Sequence, residues 1–197
     1  MSKAVVEKIT AADQTLNASG VGPFPLPIGR LAPVTAAVVS ALPSKCWWAP
    51  SLREMAAAVI RGVDIAQIES RAEGHSEARI IGPQASAAGR ALTAVGVAMA
   101  GESVVVSLGI GSTSDGAFYE ALNLAVLQSL HVTFVVTVEP LSEDAPLTTQ
   151  VASAPSTVAD AFGLQSIVLT GVNMKKIKDA VKKAIDESGP SLVEVRL

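Results

Sequence analysis

The sequence predicts an α/β protein built on a parallel sheet with helices on both faces. Short runs rich in valine and isoleucine alternate with segments of helical spacing through the C-terminal half, in the repeated order strand, helix, strand. The runs are continuously apolar, which is typical of strands buried on both faces. The composition agrees, because 49% of the residues are hydrophobic and only 4% are aromatic, so aliphatic side chains must form the core.

The N-terminal part predicts helices on either side of an irregular segment. Ser2–Leu16 has the charge and apolar alternation of a short amphipathic helix. The stretch 20–29 is rich in proline and glycine and predicts an extended loop, because each proline removes a backbone donor and fixes φ. Leu31–Leu42 has helical spacing again and stops before a proline.

The central part predicts a capped helix followed by less regular structure. Ser51 with Glu54 three residues later forms a capping box, so a helix is expected to start there and to end at Gly62. Residues 64–72 suggest another short helix. Residues 73–84 are polar and lack periodicity, so we interpret them as a loop, and we interpret the short KCWWAP stretch as a turn.

The C-terminal half predicts the sheet itself. The valine-centred run 103–108 is the first clear buried strand, and a long proline-containing loop is expected at 139–156. Strands are expected at 103–108, 131–138, 166–169 and 191–197, and helices at 85–100, 115–129, 157–162 and after the capping residue Asn173.

The length fits one domain. A chain of 197 residues can bury a single core, so we expect one domain over 1–197, with N-terminal helices and the proline-rich loop in 1–45 and the core in 46–197. Only 17% of the residues are charged, which favours a subunit that covers part of its surface with a partner.

Composition also excludes several functions. A net charge of −3 gives no basic field for nucleic acid or for an anionic membrane. The single Cys46 excludes a disulfide framework. The N-terminal residues lack the apolar run of a secretory signal, and no stretch reaches the length of a membrane span. We therefore expect a cytoplasmic protein.

A glycine-rich turn follows the first buried strand and precedes a helix. Gly109 and Gly111 flank Ile110 at the carboxyl end of this strand, where open parallel sheets bind ligands. Such a turn lets the backbone approach an anion, although close packing explains two glycines equally well. The turn is neither a P-loop nor a dinucleotide fingerprint, since Ser114 stands where the third glycine belongs.

Longer stretches around this turn carry a resemblance to a known family. "VVVSLGIGSTSDGAFYEALNLAVLQSLHVTFVV" resembles the alpha subunit of the thiamin-diphosphate-dependent 2-oxoacid dehydrogenases, the decarboxylase components of the pyruvate, branched-chain and acetoin complexes. "PSLREMAAAVIRGVD" and "IIGPQASAAGRALTA" are similar to further family segments, in the same order. The resemblance implies the thiamin-diphosphate-binding fold and thiamin diphosphate as the cofactor.

The resemblance also implies a set of site residues. Arg53 matches the arginine that grips the diphosphate, and the backbone of Ile81 matches the position that meets the pyrimidine ring. It implies no catalytic residue in this chain, because the activating glutamate belongs to a beta subunit. The implied cofactor-binding residues are Arg53, Ile81, Gly82, Gly109, Gly111 and Ser112.

The metal site of the family is altered in this sequence. Family members hold magnesium with the aspartate of a Gly-Asp-Gly turn and with an asparagine after the next strand. Ile110 and Glu139 stand at these positions. Magnesium requires oxygen ligands, so the aliphatic residue removes one of them, and the remaining carboxylate is a weak cage. We assign no metal ligand, and magnesium binding is left open.

Three interpretations of function follow. The first is an alpha-type subunit in which the magnesium–diphosphate site is lost or weakened. The second is a fully active subunit that decarboxylates a 2-oxo acid oxidatively together with a beta subunit. The third is a non-catalytic structural or regulatory partner, or an unrelated small-molecule binder. The first two imply association with a beta-type subunit or self-association.

Overall fold

The computed structural model describes residues 3–18, 27–69, 74–82, 86–139 and 151–197. The seven α-helices within these residues are α1 (Lys3–Ala18), α2 (Ala32–Ala41), α3 (Ile65–Glu69), α4 (Gly89–Met99), α5 (Gly116–Leu127), α6 (Pro155–Phe162) and α7 (Met174–Asp186). The seven strands are β1 (Trp47–Ala49), β2 (Gly74–His75), β3 (Ile80–Ile81), β4 (Val104–Gly109), β5 (Val132–Val138), β6 (Gln165–Thr170) and β7 (Ser191–Arg196).

The strands form one sheet in the order β2-β3-β1-β4-β5-β7-β6. Neighbouring strands are parallel, except that β2 pairs with β3 in the antiparallel sense. In the centre, Val106 of β4 lies between Ala49 of β1 and Phe134 of β5. The predicted parallel α/β class is confirmed, with one short antiparallel strand at its edge.

Helices cover both faces of the sheet, as predicted. Side chains alternate along a strand, so neighbouring residues enter different layers. Val105 and Val135 pack into the cluster that contains the buried residues of α1, α2 and α7. Val106 and Phe134 pack into the cluster formed with α4, α5 and α6. The sheet is therefore the middle of three layers, and both clusters consist mainly of alanine and branched aliphatic side chains.

The sequence interpretation was wrong for the three shortest strands. Residues 74–75 and 80–81 form β2 and β3 inside the segment interpreted as a loop, and β1 lies in the stretch interpreted as a turn. Strands of two or three residues have no periodicity to detect. Their pairing depends on neighbours distant in sequence, as where the Trp48 N–H donates to the Arg79 carbonyl oxygen at 2.9 Å.

The capped helix has a different winding from the one expected. The capping box is present, with the Ser51 N–H donating to Glu54 Oε2 at 3.0 Å. The segment Leu52–Arg61 is a 3₁₀ helix, and it ends at Gly62, where φ is +89°. Side chains three residues apart share a face in either winding, so a short apolar pattern does not distinguish the two.

Several predicted boundaries shift by a few residues. The helix predicted from residue 85 begins at Gly89, and the helix predicted from residue 157 begins at Pro155, which suits the first helical position because it needs no N–H partner there. Most of the loop predicted at 139–156 and most of the one at 20–29 lie outside the described residues.

The N-terminal helices α1 and α2 pack on the same face of the sheet as α7. Ile9 and Leu16 of α1 are buried in the cluster that also contains Trp48 of β1. The division into 1–45 and 46–197 stays a prediction. Among the described helices, not one combines the length and the apolar character required to cross a bilayer.

Candidate functional site

A cleft of about 420 Å³ opens at the carboxyl ends of three neighbouring strands. Its lining comes from residues 51–54 after β1, from residues 108–112 at the end of β4, and from Thr137 and Glu139 at the end of β5. Arg90 of α4 completes one side. Open parallel sheets bind ligands at this edge, so the cleft is the candidate site.

The glycine turn of the sequence forms the floor of this cleft. Gly109 ends β4, and Ile110–Ser114 is a single short 3₁₀ helix. Asp115 then caps α5, since its Oδ1 accepts a hydrogen bond from the Ala117 N–H at 3.0 Å. A carboxylate at a helix N-terminus stabilises the helix dipole, and it also disfavours an anion at that end.

Ile110 is part of the core. Only 3% of the residue is exposed, and its side chain belongs to the cluster between the sheet and helices α4, α5 and α6. The turn is fixed around it, because Thr113 Oγ1 donates to the Ile110 carbonyl oxygen at 2.7 Å. The residue that follows β4, Ile110, therefore lines the cleft and has a packed aliphatic side chain.

Glu139 joins two arginines at the mouth of the cleft. Its Oε1 accepts from Nε of Arg30 at 2.7 Å and lies 2.7 Å from Arg30 Nη2. Its Oε2 lies 3.5 Å from Nη1 of Arg53. Arg53 also donates from Nε and Nη2 to the Pro27 carbonyl oxygen, at 3.3 Å each. We call Arg30, Arg53 and Glu139 the arginine clamp.

Sequence reasoning missed one member of this clamp. Arg30 follows the proline-rich stretch and is separated from Glu139 by 109 positions, so no local pattern connects them. Glu139 was considered only as a metal ligand. The structure shows its carboxylate engaged with guanidinium groups.

Arg90 is the second residue that the sequence analysis did not select. It is only 3% exposed, and its Nη2 donates to the Ser107 carbonyl oxygen at 3.3 Å. Its Nε has no hydrogen-bond partner among the described residues. Burial lowers the pKa of Arg90, and the nearby charge of Glu54 partly opposes this. The only sequence signal is a single charged residue in a helix that is otherwise almost entirely apolar.

The short length of β1 explains why Arg90 reaches the sheet. Ser103 O accepts from the Trp47 N–H of β1 at 2.8 Å. Carbonyl groups two residues apart on a strand point the same way, so Ser107 O also points towards the β1 side. β1 ends at Ala49, before it could pair with Ser107. The guanidinium group of Arg90 donates to the carbonyl oxygen that the strand leaves uncovered.

Glu54 is a buried carboxylate with both oxygens engaged. Its Oε1 accepts from Thr35 Oγ1 at 3.0 Å, and its Oε2 accepts from the Ser51 N–H. The residue is 6% exposed and lines the cleft near Arg90. It holds the segment after β1 against α2, which gives it a structural role.

The structure brings together most of the predicted site residues but not all of them. Arg53, Gly109, Gly111 and Ser112 line the cleft. Ile81 and Gly82 lie at and after the end of β3, which β1 separates from β4, and they do not line this cleft. Their assignment to a pyrimidine ring stays a prediction.

The described residues contain no cluster of carboxylate, histidine and cysteine side chains that could hold a metal ion. The histidine in the segment interpreted as a loop, His75, lies in β2 at the edge of the sheet. Burial lowers its pKa, so its neutral form is favoured.

Fold and cleft together define an α/β protein with a candidate ligand site at the carboxyl edge of a largely parallel sheet. Residues 42–197 match the family described as dehydrogenase E1 component, and the chain belongs to that family. The predicted relationship to the alpha subunits of 2-oxoacid dehydrogenases is confirmed.

Two relatives illustrate the match. The chain is 33% identical over 97 residues to the alpha subunit of acetoin:2,6-dichlorophenolindophenol oxidoreductase from Bacillus subtilis, which covers 46% of this chain and 28% of that protein. It is 30% identical over 112 residues to the 2-oxoisovalerate dehydrogenase subunit alpha of the same organism, covering 51% and 34%. The matches thus span about a third or less of these relatives.

The fold is also found in a solved structure. The crystal structure of transketolase from Campylobacter jejuni superposes with a TM-score of 0.75 over 100% of this chain and 38% of that chain, at 16% sequence identity. At this identity the likeness concerns the fold alone.

Proposed function

We propose that this chain is an alpha-type domain of a dehydrogenase E1 component in which the magnesium–diphosphate site is lost or weakened. The cleft at the carboxyl edge is the cofactor region, and thiamin diphosphate is the cofactor class that the family relationship suggests. We further propose that the chain acts in the cytoplasm and associates with a beta-type subunit or with itself.

The burial of Ile110 is the observation on which this proposal depends. A magnesium ion needs near-octahedral oxygen coordination, and an aliphatic side chain has no lone pair to offer. Ile110 is packed into the core at 3% exposure, so its side chain is committed to the hydrophobic cluster beside α5. The residue therefore fills the end of β4 with hydrocarbon.

The arginine clamp supports the same proposal. The carboxylate that stands at a family metal-ligand position, that of Glu139, already contacts Arg30 and Arg53. A divalent cation there would have to displace two guanidinium groups and would meet their positive charge. On these grounds the described residues do not fit a magnesium ion, and we derive no chemical step through one.

Exposed apolar side chains support association with another subunit. Leu127 at the end of α5 is 67% exposed and Met99 at the end of α4 is 59% exposed. Burial of these two side chains against a partner would be favourable, because it would remove apolar surface from water. The partner that fits the family relationship is a beta-type subunit.

Calorimetric titration of the chain with thiamin diphosphate tests the proposal. One titration contains millimolar magnesium and the other contains EDTA. We expect the two dissociation constants to agree within about threefold, because Ile110 offers no oxygen ligand to a metal ion. Binding that is at least about tenfold tighter with magnesium would contradict the weakened site and would favour the fully active alternative.

Two variants at one position sharpen this test. Ile110→Asp restores an oxygen ligand, and we expect it to gain magnesium-dependent binding of thiamin diphosphate. Ile110→Leu keeps a hydrocarbon of equal size and is the matched control, in which magnesium should have no effect. Equal magnesium dependence in both variants would show that residue 110 does not determine metal binding.

A further inference from the structure

We propose that Arg90 supplies the positive charge that a divalent cation would otherwise bring, so that the cleft binds an organic diphosphate without a metal ion. The inference rests on the proposed function, in which the metal site is weakened. It assigns the role of the principal anion-binding group to Arg90, which is not among the site residues that the resemblance implies.

The burial of Arg90 is the first argument. A guanidinium group at 3% exposure has lost most of its hydration, and such a charge requires compensating partners. The observed partner is one carbonyl oxygen at 3.3 Å, and Nε has none among the described residues. A buried donor without an acceptor is uncommon in folded proteins, so an additional acceptor is expected here.

The neighbouring carboxylate does not meet this need. Glu54 lowers the electrostatic cost of the buried cation, but its Oε1 and Oε2 already accept from Thr35 and from the Ser51 N–H. Arg90 and Glu54 form no direct ion pair among the described contacts. The guanidinium group thus keeps unused hydrogen-bonding capacity, and Arg90 is one of the residues that line the cleft.

Arg53 of the arginine clamp is a second cation, besides Arg90, that a ligand in the cleft could bind. The Arg30 side chain is 65% exposed, and ion pairs at the surface contribute little to stability, so its carboxylate partner can be exchanged at low cost. A phosphate oxygen could replace Glu139 as the acceptor for Arg53, because guanidinium groups bind carboxylates and phosphates with the same planar geometry.

The shape and lining of the cleft fit a diphosphate attached to an organic group. Its volume of about 420 Å³ lies in the range of small-molecule sites. Its apolar lining offers contact for an organic moiety, while Arg53 and Arg90 provide charge for the anionic end. The apolar lining consists of Leu31, Leu52, Ala87, Leu108 and Ile110.

The test is calorimetric titration of the full chain in EDTA with four probes: inorganic pyrophosphate, thiamin diphosphate, ADP and thiamin. We expect pyrophosphate and thiamin diphosphate to bind with dissociation constants below about 1 mM, and thiamin, which lacks phosphate, to bind at least about tenfold more weakly than its diphosphate. ADP binding as tightly as thiamin diphosphate would support a diphosphate site that does not select the organic group.

Arg90 variants test the residue itself. Arg90→Met should weaken metal-free binding of thiamin diphosphate at least about tenfold, and Arg90→Lys, which keeps a charge without the planar fork, should lose less. The matched control is Arg79→Met, because Arg79 does not line the cleft. Its guanidinium group instead pairs with Glu102 at 2.9 Å. The affinity of Arg79→Met for thiamin diphosphate without metal should stay within about twofold of that of the parent protein.

Each other outcome has a definite meaning. No binding with or without magnesium overturns this inference and leaves the weakened metal site standing. Binding only with magnesium overturns both. Metal-free binding that is equal in the parent, Arg90→Met and Arg90→Lys overturns the role of Arg90. Should Arg90→Met not fold, as judged by circular dichroism, the comparison of Arg90→Lys with the parent decides, and unchanged affinity there overturns the inference.

Discussion

Two buried charged side chains, Glu194 and Arg90, differ in how completely the fold uses them. Glu194 of β7 has no exposed surface, its Oε2 accepts from the Ser156 N–H at 2.8 Å, and its Oε1 accepts from Arg196 Nε at 2.6 Å. Arg90 is equally hidden but has one long hydrogen bond, at 3.3 Å. Both lie near the carboxyl edge of the same sheet.

The difference separates a structural charge from one available to a ligand. Ser156 is the second residue of α6, so the Glu194 carboxylate compensates the N-terminus of that helix and connects it to β7. The described residues do not provide a hydrogen-bond acceptor for every N–H donor of Arg90. Removing Glu194 should therefore damage the fold, whereas removing Arg90 should chiefly damage binding.

The largest expected effect is that of Glu194→Ala. Loss of this carboxylate leaves the Ser156 N–H without its buried acceptor and Arg196 without its partner, so we expect the free energy of unfolding to fall by about 3–4 kcal/mol. Urea denaturation measures this change. The control Glu120→Gln alters an exposed glutamate on α5 and should change it by less than about 0.5 kcal/mol.

The pKa of Glu194 predicts a pH dependence of the free energy of unfolding. Burial raises the pKa of Glu194, but hydrogen bonds from Ser156 and Arg196 outweigh it and hold the pKa below the usual value of 4.5. A carboxyl group with a lowered pKa in the folded state stabilises the protein at pH values above its unfolded pKa. This contribution should disappear as the pH falls below about 4.5 towards the folded pKa.

Glu194→Gln is the variant that tests this origin. Its amide does not titrate, so the difference in unfolding free energy between parent and variant should shrink as the pH is lowered through this window. A difference that stays constant from neutral to acidic pH would contradict the assignment to Glu194.

Ile110→Asp is expected to have the next largest effect on stability. It buries a carboxylate in the hydrocarbon cluster beside α5, and without a cation this should cost about 2–3 kcal/mol. Ile110→Leu should cost less than about 1.5 kcal/mol, because volume is kept. Thermal denaturation of both variants in EDTA measures the difference, and equal melting temperatures would contradict the packing of Ile110.

Arg90→Met should change stability least of these buried positions. The variant loses one long hydrogen bond and removes a poorly compensated charge, so we expect a change within about 1 kcal/mol, in either direction. Urea denaturation without ligand measures it. A loss as large as that of Glu194→Ala would show that Arg90 is structural, and the contrast between the two residues would be wrong.

Glu139→Gln should have the smallest effect, and it should appear in binding. The variant weakens the hold on Arg30 and Arg53 and removes a negative charge from the cleft, so metal-free affinity for pyrophosphate should rise by about two- to fivefold. Calorimetry measures the gain, and a decrease would mean that Glu139 helps to position Arg53 for the ligand.

The layered fold and the centre of the candidate site follow from local patterns of amino acids. Continuous apolar runs identify β4 and β5, because strands buried on both faces must be apolar throughout. The same reasoning places Gly109, Ile110 and Gly111 at the carboxyl edge, where a sheet of this kind binds ligands. These features are local, so adjacent residues contain the whole signal.

The tertiary structure alone decided the short strands and the charges around the cleft. β1, β2 and β3 exist because distant segments supply their hydrogen-bond partners. The contact between Arg30 and Glu139 joins residues far apart in the chain, and Arg90 donates to the Ser107 carbonyl oxygen, beyond the last residue of β4 that pairs with β1. Such contacts depend on how distant segments pack against each other in the folded chain. The spacing of residues along the sequence does not indicate which of these segments will meet.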